Sequence, residues 1–271
     1  MTKTFGKVLG LISFITIILI LAACGNGAGS ENGPSSDSSD SSNGSDSGEE
    51  KVLKLATSAD FPPFESRTPE GEFEGFDIDL ANLIADELGY ELKIEDMKFD
   101  GLIGSLQSKR VDMVMAGMSM TEDRRKNVDF SAEYNRSGEM FISKPDAGID
   151  SLEDLKGKTV GVQLGTIQQE GAEKLKDEYG FEVKKLDSAN ILIQELKSNR
   201  IEVGYMDKSV AKGYVKEQGL EGFDDPTTSS PGMGIAFPKG SKLVEDVNDV
   251  LKKIEENGKL AELKDKWLSE E

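Results

Sequence analysis

The 271-residue sequence has no histidine, a single cysteine and a single tryptophan. Without an imidazole, triads that depend on one are excluded, and so are histidine metal sites. One cysteine cannot close an intrachain disulfide or form a Cys cluster for zinc or iron and sulfur. No metal or cofactor site is expected. Basic residues are outnumbered, 32 against 51 acidic ones, for a formal net charge of −19 at pH 7. A field of that sign repels phosphate backbones and anionic lipid head groups, which argues against nucleic acid as a partner. The surplus reads either as solubility on an exposed or salty cell surface or as attraction for a cationic ligand.

One run is long and mostly apolar, residues 8–23, preceded by Lys3 and Lys7 and ending in Leu21-Ala22-Ala23-Cys24. A basic start, a short apolar stretch and small residues before a cut describe an export signal. The run is too short and one-sided for a secure permanent span. Leu-Ala-Ala-Cys also resembles the bacterial lipoprotein box, which implies removal of residues 1–23 as a signal peptide and a palmitate-type lipid on Cys24. Residues 25–50 are Gly, Ser, Asp, Asn and Glu with one Ala and one Pro. Such a segment cannot bury enough apolar area to offset its chain entropy. With Cys24 it is expected to form a disordered tether, residues 24–50, of roughly 30 Å reach. The tether would hold a folded body at the extracellular face of a Gram-positive-type cell membrane.

From Val52 onward, short β-branched or apolar runs alternate with segments of helical period, the pattern of an α/β fold with mostly parallel sheets and covering helices. Strands are expected at residues 52–57, 92–96 and 111–116, and helices at 76–89 and 100–109. Leu80, Ala81, Ile84, Ala85 and Leu88 share one face of the first helix. Asp77 is expected to cap that helix, Gly89 to end it, and Asp100 to cap the next. A second set follows Lys144-Pro145, where Ser151-Leu152-Glu153-Asp154 fits a capping box. Its strands are expected at 158–163, 181–185 and 201–206, its helices at 166–179 and 188–198. Residues 232–239 read as a further strand, and helices at 241–257 and 260–268 close the chain. The expected division is residues 51–137 plus 232–271 for lobe 1 and 138–231 for lobe 2.

Open α/β sheets bind ligands beyond the carboxyl ends of their strands, which singles out five loops. Ser58-Ala59-Asp60-Phe61-Pro62-Pro63-Phe64 follows the first strand. Its prolines can fix Phe61 at one angle toward a ligand, or both phenylalanines can belong to the core. Phe99 follows the second strand; with Phe61 it can sandwich an aliphatic stem, or it too can be core. After the third strand Thr121 is a good N-cap and Glu122 and Asp123 suit a first helical turn. Arg124 shares that turn, although the helix dipole disfavours a cation there. Its fork can grip a carboxylate, helped by N–H groups near Ser119 and Thr121; the plainer reading is a solvated arginine beside an acid. Gly165-Thr166 opens a helix after Gln163 and offers donors to an anion or merely punctuates. Asp207 can cap the next helix or accept from an ammonium.

Taken together, these loops resemble the extracellular solute-binding proteins, family 3, of polar amino-acid ABC transporters. The likeness is carried by Ser58 to Glu65, Gly75-Phe76-Asp77-Ile78-Asp79-Leu80-Ala81, Phe99-Asp100-Gly101-Leu102-Ile103 and Ala116-Gly117-Met118-Ser119-Met120-Thr121 with Arg124. Val128-Asp129-Phe130-Ser131, Asp154 to Val162, Gly234 to Gly240, Glu256-Asn257-Gly258 and Lys266-Trp267 extend it across residues 51–271. It implies a two-lobed periplasmic-binding-protein-like fold of type II, with two crossing strands as a hinge near residues 134–142 and 228–235. It further implies a monomer that hands a small amino acid to an ABC permease in the membrane. By position, Arg124 would clamp the α-carboxylate together with backbone N–H groups of Ser119 and Thr166. Asp207 and the carbonyl of Gly117 would hold the α-ammonium, and Phe61 and Phe99 would stack on the side-chain stem. Ser58 stands where several relatives have an aspartate, and Ile167 where some have a hydroxyl residue, so the side-chain pocket departs from the pattern.

Val162-Gln163-Leu164-Gly165-Thr166-Ile167-Gln168, with Ser58-Ala59-Asp60, is similar to arginine-type binders of Gram-positive bacteria. A guanidinium needs a carboxylate, amide carbonyls and an aromatic face, which Asp60, Gln163, Gln168 and Phe61 can supply. Arginine is therefore expected, with glutamine or cystine as the alternative, since both glutamines suit an amide equally well. An enzyme, such as the dehydratases that share this fold, would need a cleft acid or base of tuned pKa. Asp60 is the one pocket acid not assigned to the zwitterion and it has no histidine partner, so no catalytic residue is expected. A sensor ectodomain would need a span leading to a signalling domain, and no apolar run follows Trp267.

Overall fold

The computed structural model describes residues 51–269. The export segment, Cys24 and the tether expected from the sequence lie outside the described residues. The chain runs through β1 (Val52–Thr57), a small hairpin of β2 (Ser66–Arg67) and β3 (Phe73–Glu74), α1 (Phe76–Leu88) and β4 (Glu91–Asp96). It continues through α2 (Leu102–Gln107), β5 (Met113–Val114), α3 (Glu122–Asn127) and β6 (Val128–Asn135). A second group follows: β7 (Glu139–Ser143), β8 (Thr159–Gln163), α4 (Ile167–Tyr179), β9 (Glu182–Leu186), α5 (Ala189–Lys197), β10 (Val203–Asp207), α6 (Lys208–Gln218) and β11 (Glu221–Asp224). The last elements are β12 (Met233–Pro238), α7 (Leu243–Glu256) and α8 (Lys259–Trp267).

Two five-stranded sheets result, in the orders β4-β1-β5-β12-β6 and β11-β7-β10-β8-β9. In each, three strands pair in parallel through helical crossovers, and two more attach by antiparallel pairing. The sheets are mixed because the strand that enters each by a crossing, β12 in the first and β7 in the second, runs opposite to the three parallel strands, and β6 and β11 pair antiparallel with it. The chain crosses from the first sheet to the second at residues 136–138 and returns at residues 225–232, which puts the crossings at or beside the expected ranges.

Alternation sets the faces of β1: Leu53 and Leu55 pack with Phe76, Leu80 and Ile84 of α1, whereas Ala56 packs with Leu102 and Leu106 of α2. Ile235 and Phe237 of β12 and Val247, Leu251 and Ile254 of α7 join the Leu53 side, so the end of the chain belongs to the first lobe's core. The indole N–H of Trp267 donates to Asp79 at 2.7 Å and ties α8 to α1. In the second sheet Tyr205 stacks on Phe141 with ring centroids 4.0 Å apart, and Phe223 lies on the other side of Phe141. β5 is shorter than the strand expected at 111–116, although Asp112 and Met115 still donate to β1 carbonyls on either side of it.

Several caps are as the sequence suggests. Thr121, Thr166 and Ser188 each accept the N–H three residues on, and Gly89 ends α1 in the left-handed conformation. Three expected caps are corrected. Asp77 lies inside the first turn of α1, fully buried, where it accepts the Gly117 N–H at 2.8 Å and the Tyr134 hydroxyl at 2.9 Å. Asp100 sits within a 3-10 turn, Phe99–Gly101, whose N-cap is Lys98. The Ser151 hydroxyl donates to Asp154 at 2.7 Å instead of accepting from the backbone, so the capping box is only half formed.

The N-cap of α1 is Gly75, at φ 131°, and a Cβ there would lie 2.2 Å from the carbonyl oxygen of Phe64. Strain and overlap together should cost Gly75→Ala roughly 2–4 kcal/mol. Gly89→Ala, which is left-handed but meets nothing within 4 Å, should lose only about 1 kcal/mol. Urea unfolding of both variants checks this, and equal losses would contradict the close approach.

Candidate functional site

The loops after β1, β4, β5, β8 and β10 converge on one narrow cavity between the two sheets. Asp60, Phe61, Phe99, Gly117, Ser119, Arg124, Gln163, Thr166, Gln168 and Asp207 all line it. Every residue singled out from the sequence as a substrate contact is thus brought to one place. Ser58, Glu65, Ala116 and Ile167 also line it. Among the described residues no cluster of three or more metal-ligating side chains occurs, and no helix is long and apolar enough to cross a membrane.

Arg124 is 9% exposed. Its position in the first turn of α3 follows from the Thr121 cap, and its guanidinium donates to the Ser119 carbonyl at 2.8 Å and to the Gly165 carbonyl at 2.9 Å. The ring of Phe99 lies 5.3 Å away, a cation–π contact. Among the described residues no carboxylate stands within ion-pair distance of it. The solvated arginine of the plainer reading is therefore not what the chain builds. Burial lowers the guanidinium from its ordinary value to about 10, against the opposing pull of Glu170, so it stays charged at neutral pH.

The aromatic wall comes from the proline-stiffened loop. Phe64 is fully buried in the core, whereas Phe61 is half-buried, stacks against it at 6.0 Å and faces the cavity. Gly117, at φ 53°, lies against that ring: a Cβ there would come 3.1 Å from the Phe61 ring edge. Opposite, Gly165 at φ 82° lets the second lobe approach the backbone of Asp100, where a Cβ would lie 3.1 Å from its Cα. The Thr166 hydroxyl donates to the Gln163 carbonyl at 2.7 Å while capping α4.

Acids surround this lone cation. Oδ1 of Asp207 accepts from the Ser137 hydroxyl and from the N–H groups of Ser209 and Val210, so it caps α6. Burial still pushes its carboxyl up to about 6. Asp60 accepts from the Ser58 hydroxyl at 2.8 Å and from the Ala189 N–H of the other lobe at 2.6 Å. Burial raises its pKa against those two bonds. Both oxygens of Glu65 are buried and without a partner if the group is ionised. Burial, then the charges of Asp77 and Asp60, raises Glu65 well above the ordinary carboxylate range. A protonated Glu65 donates to Asp77, itself pushed up by burial to about 7. The side-chain amide of Gln168 donates to Glu139, whereas that of Gln163 is buried without a partner. Burial, followed by the charges of Asp207 and Asp225, pushes Glu139 up to about 8.

Glu65 and Glu139 were not singled out from the sequence. Glu65 ends the motif Ser58 to Glu65 but was given no role of its own. Glu139 follows Ser137-Gly138 with no local pattern around it, and its burial arises from pairing with β10 and from the cover of α4. Arg124 to Gly165, Asp60 to Ala189 and an exposed ion pair of Lys98 with Asp187 at 2.5 Å join the lobes across the cavity.

Residues 53–270 match the model of the bacterial extracellular solute-binding proteins, family 3, and the chain belongs to that family. The arginine-binding extracellular protein ArtP of Bacillus subtilis is 44% identical over 270 residues, 98% of this chain and 99% of that one. A solved structure described as an ancestral arginine-binding protein bound to arginine is 41% identical, with a TM-score of 0.76, covering 80% of this chain and 98% of its own. Another, described as an ancestral arginine-binding protein bound to glutamine, has the same identity and TM-score and covers 81% and 98%. The two-lobed type II fold is thereby established, and the relatives are named for solutes they bind and not for reactions, in keeping with a chain that is not an enzyme.

Glu65, Asp77, Glu139, Asp207 and Asp60 all have raised values in the folded state, against about 4 in an unfolded chain. The folded state therefore binds more protons than the unfolded one from about pH 4 up to about pH 8. Stability from these protons is lost as pH rises through the folded values. The depressed acids, such as Glu195 beside Lys184 and Arg200, lose stability only below their unfolded values. The ligand-free melting temperature should accordingly be higher at pH 5 than at pH 8, and Asp77→Asn should flatten the slope. A melting temperature that rises with pH across that window would contradict these assignments.

Proposed function

We propose that this family 3 solute-binding protein captures a polar L-amino acid, arginine first, in the cavity between its lobes and delivers it to an ABC permease in the membrane. In this reading Cys24 carries the lipid and residues 25–50 tether the body at the extracellular face. The observation that supports it is the buried, charged Arg124 without a carboxylate, set in a cavity whose other ionisable lining residues, Asp60, Glu65 and Asp207, are all acids.

An α-carboxylate supplies what Arg124 lacks, and the ligand's ammonium meets Asp207 and the Gly117 carbonyl. The stem passes between Phe61 and Phe99, and the side-chain end reaches Asp60, Gln163 and Gln168. A second positive charge at that end suits a cavity where acids outnumber the single cation, which favours arginine over glutamine. Glutamine remains the second reading because the unpartnered amide of Gln163 suits a neutral amide as well. Because Arg124 and Gly117 come from one lobe and Asp207, Thr166 and Gln168 from the other, a single zwitterion bridges the cleft. The ligand then favours the closed arrangement over the open one by the difference in contacts it makes.

A micromolar affinity corresponds to roughly −8 kcal/mol, and stripping one partner from a buried charge pair removes about 3–5 kcal/mol. Arg124→Ala should weaken arginine binding by at least ~100-fold in calorimetry while the ligand-free melting temperature barely moves. Unchanged affinity would place the carboxylate elsewhere. Mass spectrometry of the small molecule that copurifies with the protein identifies the ligand directly; cystine or glutamine in place of arginine would overturn the ranking. For the anchor, Cys24→Ser should shift the protein from the membrane fraction to the medium, and a variant that stays membrane-bound would contradict lipidation at that residue.

A further inference from the structure

We infer that Glu139 is a positioning residue for the side-chain end of this pocket: by accepting the amide N–H of Gln168 it turns the Gln168 carbonyl toward the ligand and favours a cationic donor over a neutral amide. The inference rests on the reading of the cavity as an amino-acid site and names what sets its preference. Gln168 stands in the first turn of α4, is 6% exposed, lines the cavity and donates through Nε2 to Oε2 of Glu139. An ionised carboxylate can only accept, so the amide nitrogen must face it and the carbonyl oxygen faces away. The Gln163 amide has no such partner and can present either of its atoms after a half turn. Of the two cavity glutamines, one is therefore polarised and the other is not.

Glu139 opens β7 directly opposite Asp207 of β10, and its Oε1 is buried without a partner. The charged and titratable groups around it are Asp207 on β10, Asp225 beyond β11, Tyr205, whose hydroxyl Asp225 accepts, Glu170 and Lys174 of α4, which line one groove with it, and Lys208 at the start of α6, which is paired with Asp224 at 2.5 Å. No cation stands within ion-pair distance of Glu139 among the described residues. Its raised value of about 8 follows from burial first and from the charges of Asp207 and Asp225 next. In the empty cavity most of this carboxyl is protonated at neutral pH, and the neutral form, which can donate as well as accept, holds the Gln168 amide less firmly in the observed orientation than the ionised form does. A guanidinium favours the ionised form: the proton passes to solvent, and Gln168 is locked with its carbonyl on the cation. Arginine binding should expel this proton, whereas a neutral side chain should not. Asp207 meets the α-ammonium of either ligand and contributes equally to both.

Calorimetry on the purified full-length protein, with arginine and with glutamine in buffers of different ionisation enthalpy, counts the protons released. For the wild type, arginine affinity should rise roughly fivefold between pH 7 and pH 8, as expected for release from a group near 8. Glu139→Gln should flatten that profile, reduce the protons released on arginine binding and lower the arginine-to-glutamine affinity ratio by roughly tenfold. A purely structural role would weaken both ligands alike and leave the ratio and the profile unmoved. Either an arginine affinity independent of pH across that window in the wild type, or a variant with the wild-type profile and ratio, overturns the inference. The wild-type profile needs no variant, so it decides even if Glu139→Gln fails to fold. Wild-type protein that takes up no arginine at all overturns the functional reading itself.

Discussion

A buried guanidinium with no carboxylate from its own chain is the constraint on which the rest of the structure turns. Arg124 is held by the cap of the short helix α3 and by two backbone carbonyls, one from each lobe. Carbonyl dipoles and the Phe99 face soften the cost of burying it but leave its charge uncancelled. The burial of a lone ion is costly unless something else brings the opposite charge. In the proposed reading that role falls to the α-carboxylate of the ligand between the lobes. Arg124 also spans the gap through the Gly165 carbonyl, so on that reading recognition and closure draw on one interaction.

The acids complete the argument by sign. Asp60, Glu65, Asp77, Glu139 and Asp207 are gathered near one another, and each is displaced upward by burial and, for most of them, by its neighbours' charges. Asp77 and Glu139 act without lining the cavity themselves. The Glu65–Asp77 pair holds Gly117 through the Asp77 bond to its N–H, and so fixes the loop that carries Ser119 and Arg124. Glu139 holds Gln168 in the same way from the other lobe. With Glu139 near 8 and Glu65 well above the ordinary carboxylate range, the empty site holds protons that, in the proposed reading, an entering cation drives out to solvent. The large net negative charge therefore has a local counterpart in the binding cleft, beyond its effect on solubility.

Much of this was legible in the sequence, and the parts that were not share a cause. The alternation of residues 52–57 and the helical period of residues 76–89 gave the first βα step, and the loops after the strands gave Phe61, Arg124, Thr166 and Asp207. Arg124 stood out because it broke the charge rule of a helix start. Asp77 was misread because an acid near a helix start usually caps it; here Gly75 takes the cap position, forced by contact with the Phe64 carbonyl, and Asp77 is freed to reach Gly117 and Tyr134. Glu139 was missed because its neighbours Gln168, Asp207 and Asp225 are 29, 68 and 86 positions away in the chain. Local pattern reads caps, faces and turns; it does not read a carboxyl whose role is created by strand pairing. Likewise β5 spans only Met113–Val114, which no residue of 111–116 announces.

In the proposed site the ligand's carboxylate neutralises Arg124. Agmatine, which is arginine without that carboxylate, keeps the guanidinium, the stem and the amine, and calorimetry against the intact protein compares the two directly. The account predicts that agmatine binds at least ~100-fold more weakly than arginine. Equal affinities would mean that Arg124 meets no carboxylate, and the account would be wrong at its root.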